Sequence, residues 1–192
     1  YKFLTEETVL IIDIGAGTSD ILVIEGNTLV QNSKYTITQG GNNVYQLVRR
    51  ELRMKGLDIR EDALKAGIIK GSIKDGSKSI PIIDIVNNAK NEVAQKLVSE
   101  LQDFFDVTDI KARSIGHVLI VGGGSMQDSE CEEILPLSNK VIEHFQQLSP
   151  NSEMVVIPNH TVTKELEDGD ITKATEMKLW PPLGRGRNTS GA

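Results

Sequence analysis

The residues best suited to chemistry lie in the stretch DIGAGTSD, residues 13–20, which follows an apolar run. Gly15 and Gly17 let the backbone bend sharply and leave its amides open to a ligand, because neither residue carries a Cβ. Successive backbone N–H groups in such a turn form a concave site for anions. Thr18 and Ser19 add hydroxyl donors to the same turn. The stretch therefore predicts a clamp for phosphate groups.

Two carboxylates bracket this turn. Asp13 ends the apolar run before it, and Asp20 begins the apolar run after it. A carboxylate beside a bound phosphate suits a hydrated Mg²⁺ ion, which prefers oxygen ligands and keeps several of its waters. The alternative is a glycine-rich hairpin whose aspartates are only solvated. The complete pattern of aspartates, glycines and threonine between two apolar runs favours the phosphate and metal interpretation.

The residues after the turn distinguish two kinds of glycine motif. A dinucleotide-binding turn contains a third glycine and leads into a helix. Here residues 20–25, DILVIE, form another apolar run that is typical of a strand. The turn is therefore predicted to join two antiparallel strands, because parallel neighbours need a longer crossover connection.

A second glycine segment follows a short apolar run. Residues 118–121, VLIV, predict a buried strand that leads into Gly122, Gly123, Gly124 and Ser125. Backbone without side chains can approach a flat ligand closely, which favours a nucleoside pocket. A tightly packed turn between a strand and a helix is the alternative, and the segment alone does not decide between them.

A third glycine segment, Gly40 and Gly41 followed by Asn42, precedes a predicted helix. The exposed amides of a helix N-terminus attract anions. An asparagine that caps the helix after a glycine loop is the alternative.

Hydrophobic periodicity divides the chain into strands and helices. Strands are predicted at residues 8–14, 20–25, 28–38, 117–121 and 154–157, with a short extended piece at 80–83. Helices are predicted at 43–55, 60–69, 84–105 and 130–148, the second of them capped by Asp58 and the last broken or started near Pro136. Residues 70–79 are predicted to be an exposed loop or hairpin. The order predicts an α/β fold, a mixed sheet with an antiparallel meander and flanking helices.

The same pattern suggests a division into subdomains. Residues 1–40 and 85–180 form the predicted core, and residues 41–84 form a small inserted helical subdomain. Residues 181–192 have almost nothing to bury and are predicted to be a disordered tail.

Composition excludes several classes of function. A net charge of −6 disfavours a direct grip on nucleic acid, which needs a basic surface, and 4% aromatic residues disfavour base-stacking platforms. Cys131 is the one cysteine, so no disulfide can form within the chain. The three histidines lack the spacing of metal ligands, and no apolar run is long enough to span a membrane. A cytoplasmic location is therefore expected.

Together these segments resemble the actin-like ATPases, the superfamily that includes sugar kinases and heat-shock chaperone ATPase domains. DIGAGTSD matches the second phosphate motif of that superfamily, and VLIVGGGS, residues 118–125, matches its adenosine motif. GGNNVYQLVRREL followed by REDALKAGI is similar to the segment that opens the helical subdomain in bacterial members such as MreB, FtsA and ParM. The resemblance covers residues 8–160 and implies a ribonuclease H-like, actin-type lobe.

The chain departs from the superfamily at both ends. The first phosphate motif, an Asp-x-Gly hairpin near the N-terminus, is absent, so the chain looks like the C-terminal lobe only. LWPPLGRGRNTSGA stands where an Asn/Pro-x-Gly-Ala helix is expected.

The resemblance implies a role for each matched residue. Asp13 would be catalytic, by holding the hydration shell of Mg²⁺ or orienting the attacking water, and Asp20 would lie in the outer metal shell. The phosphates of ATP would be bound by Gly15, Ala16, Gly17, Thr18, Ser19, Gly40 and Gly41. The adenosine would be bound by Gly122, Gly123, Gly124 and Ser125, with Asn91, Glu92 and Gln95 reaching it from the long helix.

The resemblance also implies a function for the whole protein. The first hypothesis is an ATPase that assembles into filaments, as in the plasmid-segregating ParM group, with other subunits and a DNA-bound adaptor as partners. The alternatives are a non-polymerising relative of the chaperone or FtsA/PilM type, a small-molecule kinase, and an interaction domain without a ligand. The chain alone is expected to bind nucleotide weakly and to hydrolyse almost none, because half of the cleft is missing.

Overall fold

The computed structural model describes residues 3–125, 129–157 and 178–180. Its strands are β1 (Thr8–Ile14), β2 (Ser19–Glu25), β3 (Thr28–Leu29), β4 (Tyr35–Ile37), β5 (Ser72–Asp75), β6 (Lys78–Pro81), β7 (Ile115–Val121), β8 (Glu153–Val156) and β9 (Lys178–Trp180). Its helices are α1 (Phe3–Glu6), α2 (Gly41–Met54), α3 (Glu61–Lys70), α4 (Ile83–Val107) and α5 (Leu137–Leu148), with a 3-10 turn at Ala112–Ser114.

One mixed sheet forms the centre of the molecule. Its strand order is β3-β2-β1-β7-β8-β9, and β4 pairs with β2 as well. β1 is antiparallel to β2 and parallel to β7, which is parallel to β8. Val9, Leu10 and Ile12 are fully buried, as expected for a central strand covered on both faces. The prediction of an α/β fold with an antiparallel meander is confirmed.

A layer of helices packs on this sheet around α4. The buried residues of α4 recur every three or four positions, for example Val86, Val93 and Leu97, so they line one stripe of the helix. α2 and α5 both pack against α4. Leu10 of the sheet and Phe145 of α5 belong to the same hydrophobic core as that stripe. The core therefore lies between the sheet and the three helices.

The predicted third strand, residues 28–38, is wrong as a single element. It is two short strands, β3 and β4, which pair with different parts of β2. Asn32 between them has a φ of 59°, which breaks an extended chain. The side chain of Ser33 fills the gap, because its hydroxyl accepts from the Val23 N–H (3.2 Å) and donates to the Val23 carbonyl (3.1 Å).

The helix expected at 130–148, broken or started near Pro136, begins at Leu137, which confirms a start at this proline and leaves the residues before it outside the helix. A proline disfavours helical backbone in the residue before it, which ends the pattern on that side. α3 begins after Arg60 rather than after a cap by Asp58. Asp58 instead accepts a hydrogen bond from Nε of Arg53 at 3.1 Å.

The remaining predictions about organisation stand as follows. β5 and β6 form an antiparallel hairpin, which confirms the exposed loop or hairpin expected at 70–79. The division into a core and an insertion at 41–84 stays a prediction, and the tail at 181–192 lies outside the described residues. No helix in the described part of the chain is long and apolar enough to cross a membrane.

The loop before α5 is fastened to α4 by two side chains. Nδ2 of Asn87 donates to the Glu133 carbonyl, and Nζ of the fully buried Lys90 donates to the Leu135 carbonyl, both at 2.9 Å. Burial lowers the pKa of Lys90 to about 8. An ammonium that loses water on folding disfavours the folded state as long as it stays charged.

This burial predicts a pH dependence of stability. In the unfolded chain Lys90 keeps its ordinary pKa of 10.5, whereas in the folded chain its pKa is about 8. The unfolded state therefore binds more protons between these values, and the contribution of Lys90 to the free energy of unfolding rises with pH across that window. Urea unfolding at pH 7.5, 8.5 and 9.5 should show this rise in the wild type, and Lys90→Met should remove it. Parallel pH profiles of the two proteins would contradict the prediction.

Candidate functional site

The first glycine turn is a tight hairpin between β1 and β2. The register places Ile14 opposite Ser19, and the N–H of Gly15 donates to the Thr18 carbonyl at 2.8 Å. The next three N–H groups, of Ala16, Gly17 and Thr18, donate to no described residue. The turn therefore presents three successive unpaired amides, while the amide of Gly15 is used by the turn itself.

The second glycine turn packs directly against the first. β1 and β7 are parallel and end together, with Asp13 opposite Val121. The N–H of Gly124 then donates to the Ile14 carbonyl at 2.8 Å. A Cβ on Gly124 would collide with the Gly15 carbonyl, so this approach requires glycine. The hydroxyl of the buried Ser125 donates to the Gly122 carbonyl, so it serves the turn.

The N-terminus of α2 closes the third side. The N–H of Gly41 donates to the Gly15 carbonyl at 3.0 Å, and the N–H of Asn42 donates to the Ala16 carbonyl at 2.7 Å. A Cβ on Gly40 would lie 2.7 Å from the Gly15 carbonyl oxygen. The amides expected to attract an anion at this helix end therefore bind carbonyls of the first turn. They hold that turn in place.

These three segments meet at one cavity of about 500 Å³. It is lined by Ala16, Gly41, Asn42, Tyr45, Lys65, Ile68, Ile69, Gly123 and Gly124. The two glycine turns contribute mostly backbone, whereas α2 and α3 contribute the side chains of Asn42, Tyr45, Ile68 and Ile69 and the ammonium of Lys65. A cavity of this size and mixture is typical of a small-molecule site.

Sequence reasoning missed the contribution of α3. Nζ of Lys65 lies 5.9 Å from the centre of the Tyr45 ring and 2.7 Å from a carboxylate oxygen of Glu61. The hydrogen bond between them lowers the pKa of Glu61 and raises the pKa of Lys65. Ile68 and Ile69 lie three and four residues after Lys65, on the same helix face. This helical spacing was the sequence signal from which the contribution of α3 could have been predicted.

The two bracketing aspartates are close neighbours. Asp13 and Asp20 are directly opposite each other in the antiparallel pair, so their side chains leave the same face of the hairpin. Both are exposed, and Oδ1 of Asp20 accepts from the Thr36 hydroxyl at 2.6 Å. The described residues contain no group of three or more potential metal ligands. Two exposed carboxylates fit a hydrated Mg²⁺ held through its waters better than a dehydrated ion in a full protein cage.

The hydroxyl of Ser19, predicted to contact phosphate, points elsewhere. Ser19 is fully buried, and its hydroxyl donates to the Gln39 carbonyl at 2.7 Å. This bond ties the start of β2 to the segment before α2.

The three polar residues predicted on α4 are not among the residues that line the cavity. Oδ1 of Asn91 lies 2.9 Å from Nε2 of His144 on α5. The carboxylate of Glu92 pairs with Lys96 at 2.8 Å, and the hydrogen bond from Lys96 lowers the pKa of Glu92. Gln95 is exposed. Of these three residues, Asn91 therefore contacts α5, Glu92 is paired mainly within α4, and Gln95 faces solvent.

Comparison with known proteins agrees with this geometry. Residues 11–129 match the family model of the archaeal actin homologue MreB-like, C-terminal. No curated protein matches the chain.

Solved structures share the fold. The archaeal actin homologue Ta0583 superimposes with a TM-score of 0.61 at 15% identity, over 79% of this chain and 43% of its own. A 15-stranded ParM filament from Clostridium botulinum superimposes with a TM-score of 0.59 at 18% identity, over 80% of this chain and 42% of its own. Bacillus thuringiensis ParM with ATP superimposes with a TM-score of 0.51 at 18% identity, over 82% of this chain and 42% of its own. The chain thus spans less than half the length of these structures.

The packing of the glycine turns predicts unequal effects of adding a methyl group. Gly124→Ala should reduce the free energy of unfolding by about 1–3 kcal/mol, because its Cβ would overlap the Gly15 carbonyl. Gly17→Ala is the matched control, since nothing lies within 4 Å of its Cβ position. Urea unfolding of both variants checks the difference. Equal stability of the two variants would show that the turns do not pack as described.

Proposed function

Since the chain belongs to the C-terminal domain family of the MreB-like archaeal actin homologues, we propose that it is the nucleotide-binding lobe of an actin-like ATPase that polymerises into filaments. The observation that carries the proposal is the set of three successive amides, of Ala16, Gly17 and Thr18, that donate to no described residue and lie at the edge of a ligand-sized cavity. Successive amides of this kind bind phosphate oxygens.

The phosphates of ATP lie against the first glycine turn in this proposal. Asp13 and Asp20 stand beside the turn and would hold Mg²⁺ through its waters. The ion would supply positive charge to the phosphates. Asp13 also accepts a hydrogen bond from the attacking water and orients it. Catalysis of phosphoryl transfer consists mainly of such positioning and charge stabilisation.

The adenosine occupies the apolar end of the cavity. Ile68, Ile69 and Tyr45 offer contact area to the base, and Gly123 and Gly124 admit it close to the backbone. Lys65 is placed to donate a hydrogen bond to the nucleoside. Bacillus thuringiensis ParM, which shares the fold, was solved with ATP, and this supports a nucleotide as the ligand.

Filament assembly is the proposed use of this site. ATP favours assembly and its hydrolysis loosens it, with other subunits and a DNA-bound adaptor as partners, for DNA segregation or cytoskeletal work in the cytoplasm. The Clostridium botulinum ParM filament supports self-association. ATP-dependent light scattering and negative-stain microscopy on the full-length protein test it. Nucleotide binding without any assembly would rule out the polymerising function and favour a non-polymerising ATPase.

The aspartate beside the turn predicts a metal-dependent affinity. The chain should bind a fluorescent ATP analogue more tightly with Mg²⁺ than with EDTA, by about tenfold, which corresponds to about 1.4 kcal/mol. Asp13→Asn should remove most of this gain without weakening binding in EDTA, because it removes a carboxylate that holds the hydrated ion and that repels the phosphates when the ion is absent. Asp109→Asn, at another exposed aspartate, is the control. A full Mg²⁺ gain in Asp13→Asn would exclude the metal role.

The ammonium in the cavity predicts a second, metal-independent effect. Lys65→Ala should weaken binding of the same analogue about three- to tenfold in both Mg²⁺ and EDTA, as expected for the loss of one hydrogen bond. Lys70→Ala, on the same helix but outside the cavity lining, is the matched control. Equal affinities of the two variants would remove Lys65 from the site. Fluorescence anisotropy measures both.

A further inference from the structure

A loop outside the nucleotide cavity holds one wall of that cavity. Residues 129–135, here called the strap, lie before α5, and none of them lines the cavity. The N–H of Glu130 donates to the Ile69 carbonyl at 2.9 Å, and the hydroxyl of Ser129 lies 3.0 Å from the same oxygen. Ile69 does line the cavity. The strap therefore contacts the cavity wall through the backbone of a lining residue.

The strap supplies hydrogen bonds that the end of α3 cannot make for itself. The last four carbonyls of an α-helix have no partner within the helix, and Ile69 is the last residue but one of α3. Gly71 then turns the chain in the left-handed conformation, with a φ of 73°. Cys131 packs against this turn, because a Cβ on Gly71 would lie 3.1 Å from its Sγ. The strap thus caps α3 and covers the turn that follows it.

The other end of the strap is fastened to α4. Nδ2 of Asn87 donates to the Glu133 carbonyl at 2.9 Å. Nζ of Lys90 donates to the Leu135 carbonyl, and Ile134, between these two carbonyls, is buried in the hydrophobic core. Because α4 lies at the centre of the helical layer, these contacts give the strap a fixed anchor.

The wall that the strap holds belongs to the periphery of the fold. α3 packs mainly on β5, which pairs with β6 in a hairpin separate from the central sheet. Leu64 and Ile68 of α3 reach the hydrophobic core, and the N–H of Ile82 donates to the Gly71 carbonyl at 2.9 Å. The strap is a further tie, and it acts directly at Ile69. Its contacts therefore influence the distance between this wall and the glycine turns.

We propose that the strap positions the α3 wall of the nucleotide cavity, so that docking of the strap and binding of the nucleotide stabilise each other. Loops held by a few hydrogen bonds open locally without unfolding of the whole protein. Coupling between two such equilibria is reciprocal, because each changes the other by the same factor. The nucleotide as the ligand rests on the proposed function, whereas the contacts of the strap do not.

The thiol of Cys131 reports on docking of the strap. It is the one cysteine of the chain and is half-buried, so a thiol reagent reacts with it faster when the strap opens. Methyl methanethiosulfonate adds only a methylthio group, and mass spectrometry measures the rate. A saturating ATP analogue with Mg²⁺ should slow the reaction about three- to tenfold, the range expected for one hydrogen bond, although Cys131 does not line the cavity.

Reciprocity gives a second, quantitative measurement. The methylthio group prevents Cys131 from packing against Gly71, so the strap of the modified chain stays open. The modified chain should bind the analogue more weakly by the same factor by which the analogue slows the modification. Reduction with dithiothreitol should restore the original affinity, which shows that the modified chain is still folded.

Variants at the two ends of the strap test the contacts themselves. Ser129→Ala should speed the thiol reaction about three- to tenfold without nucleotide, because its hydroxyl accepts the Cys131 N–H at 3.1 Å and reaches the Ile69 carbonyl. Ser129→Thr keeps the hydroxyl and should react at the wild-type rate. Asn87→Ala, at the α4 end, should also speed the reaction. Circular dichroism verifies that each variant is folded.

A matched serine separates opening of the strap from general loss of stability. The hydroxyl of the buried Ser152 donates to the Ile115 carbonyl at 2.6 Å, at the end of β7 opposite to the second glycine turn. Ser152→Ala should therefore lower the free energy of unfolding and keep the wild-type thiol rate and affinity for the analogue.

The possible failures of the coupling and of the nucleotide site are distinguishable. A chain that binds the analogue but whose Cys131 reacts equally fast with and without it overturns the coupling and leaves the nucleotide site intact. Wild-type affinity of the modified chain, or wild-type thiol rates in both Ser129→Ala and Asn87→Ala, overturns it as well. A chain that does not bind the analogue overturns the proposed function, and the coupling with it.

Discussion

The carbonyl of Gly15 is the contact on which the site depends. It accepts the N–H of Gly41, and it lies where a side chain on Gly40 or Gly124 would stand. Three segments that are distant in sequence therefore meet around one peptide group. Their separation is fixed by backbone contact, which no rotamer change can relax. The amides of the first turn are consequently held in place before any ligand arrives, and donors that need no reorganisation stabilise charge most effectively.

The position of β1 in the sheet brings these segments together. β1 pairs with β2 on one side and with β7 on the other, so a hairpin turn and the end of a parallel strand leave the sheet at the same edge. Ligands of open α/β sheets bind at the carboxyl ends of such strands. α2 then adds its N-terminus to that edge, and α4, packed beneath, fixes the position of α2. The hydrophobic core and the site are thus two results of one strand arrangement.

How far the sequence predicts this arrangement depends on how local each signal is. The strands and glycine turns follow from short apolar runs and from residues without a Cβ, so the hairpin after Asp13 was predictable. The contribution of Lys65 was not, because helical spacing places Lys65, Ile68 and Ile69 on one face but does not show that this face meets the glycine turns. Asn91 on α4 was predicted to reach the ligand but contacts α5 instead, because a polar residue on a long helix can equally face a neighbouring helix. The separate strands β3 and β4 depend on a left-handed Asn32, which periodicity does not reveal.

Ser33 has a consequence beyond the shape of the loop between β3 and β4. Its hydroxyl occupies both the N–H and the carbonyl of Val23, the positions that a neighbouring strand would use. A strand with open backbone groups at the edge of a sheet can pair with a strand of another molecule, which leads to aggregation. This pairing is a greater risk in a protein whose copies come close together. One buried and doubly bonded serine closes the gap along β2 between β3 and β4, so Val23 offers no open backbone group to a strand of another copy.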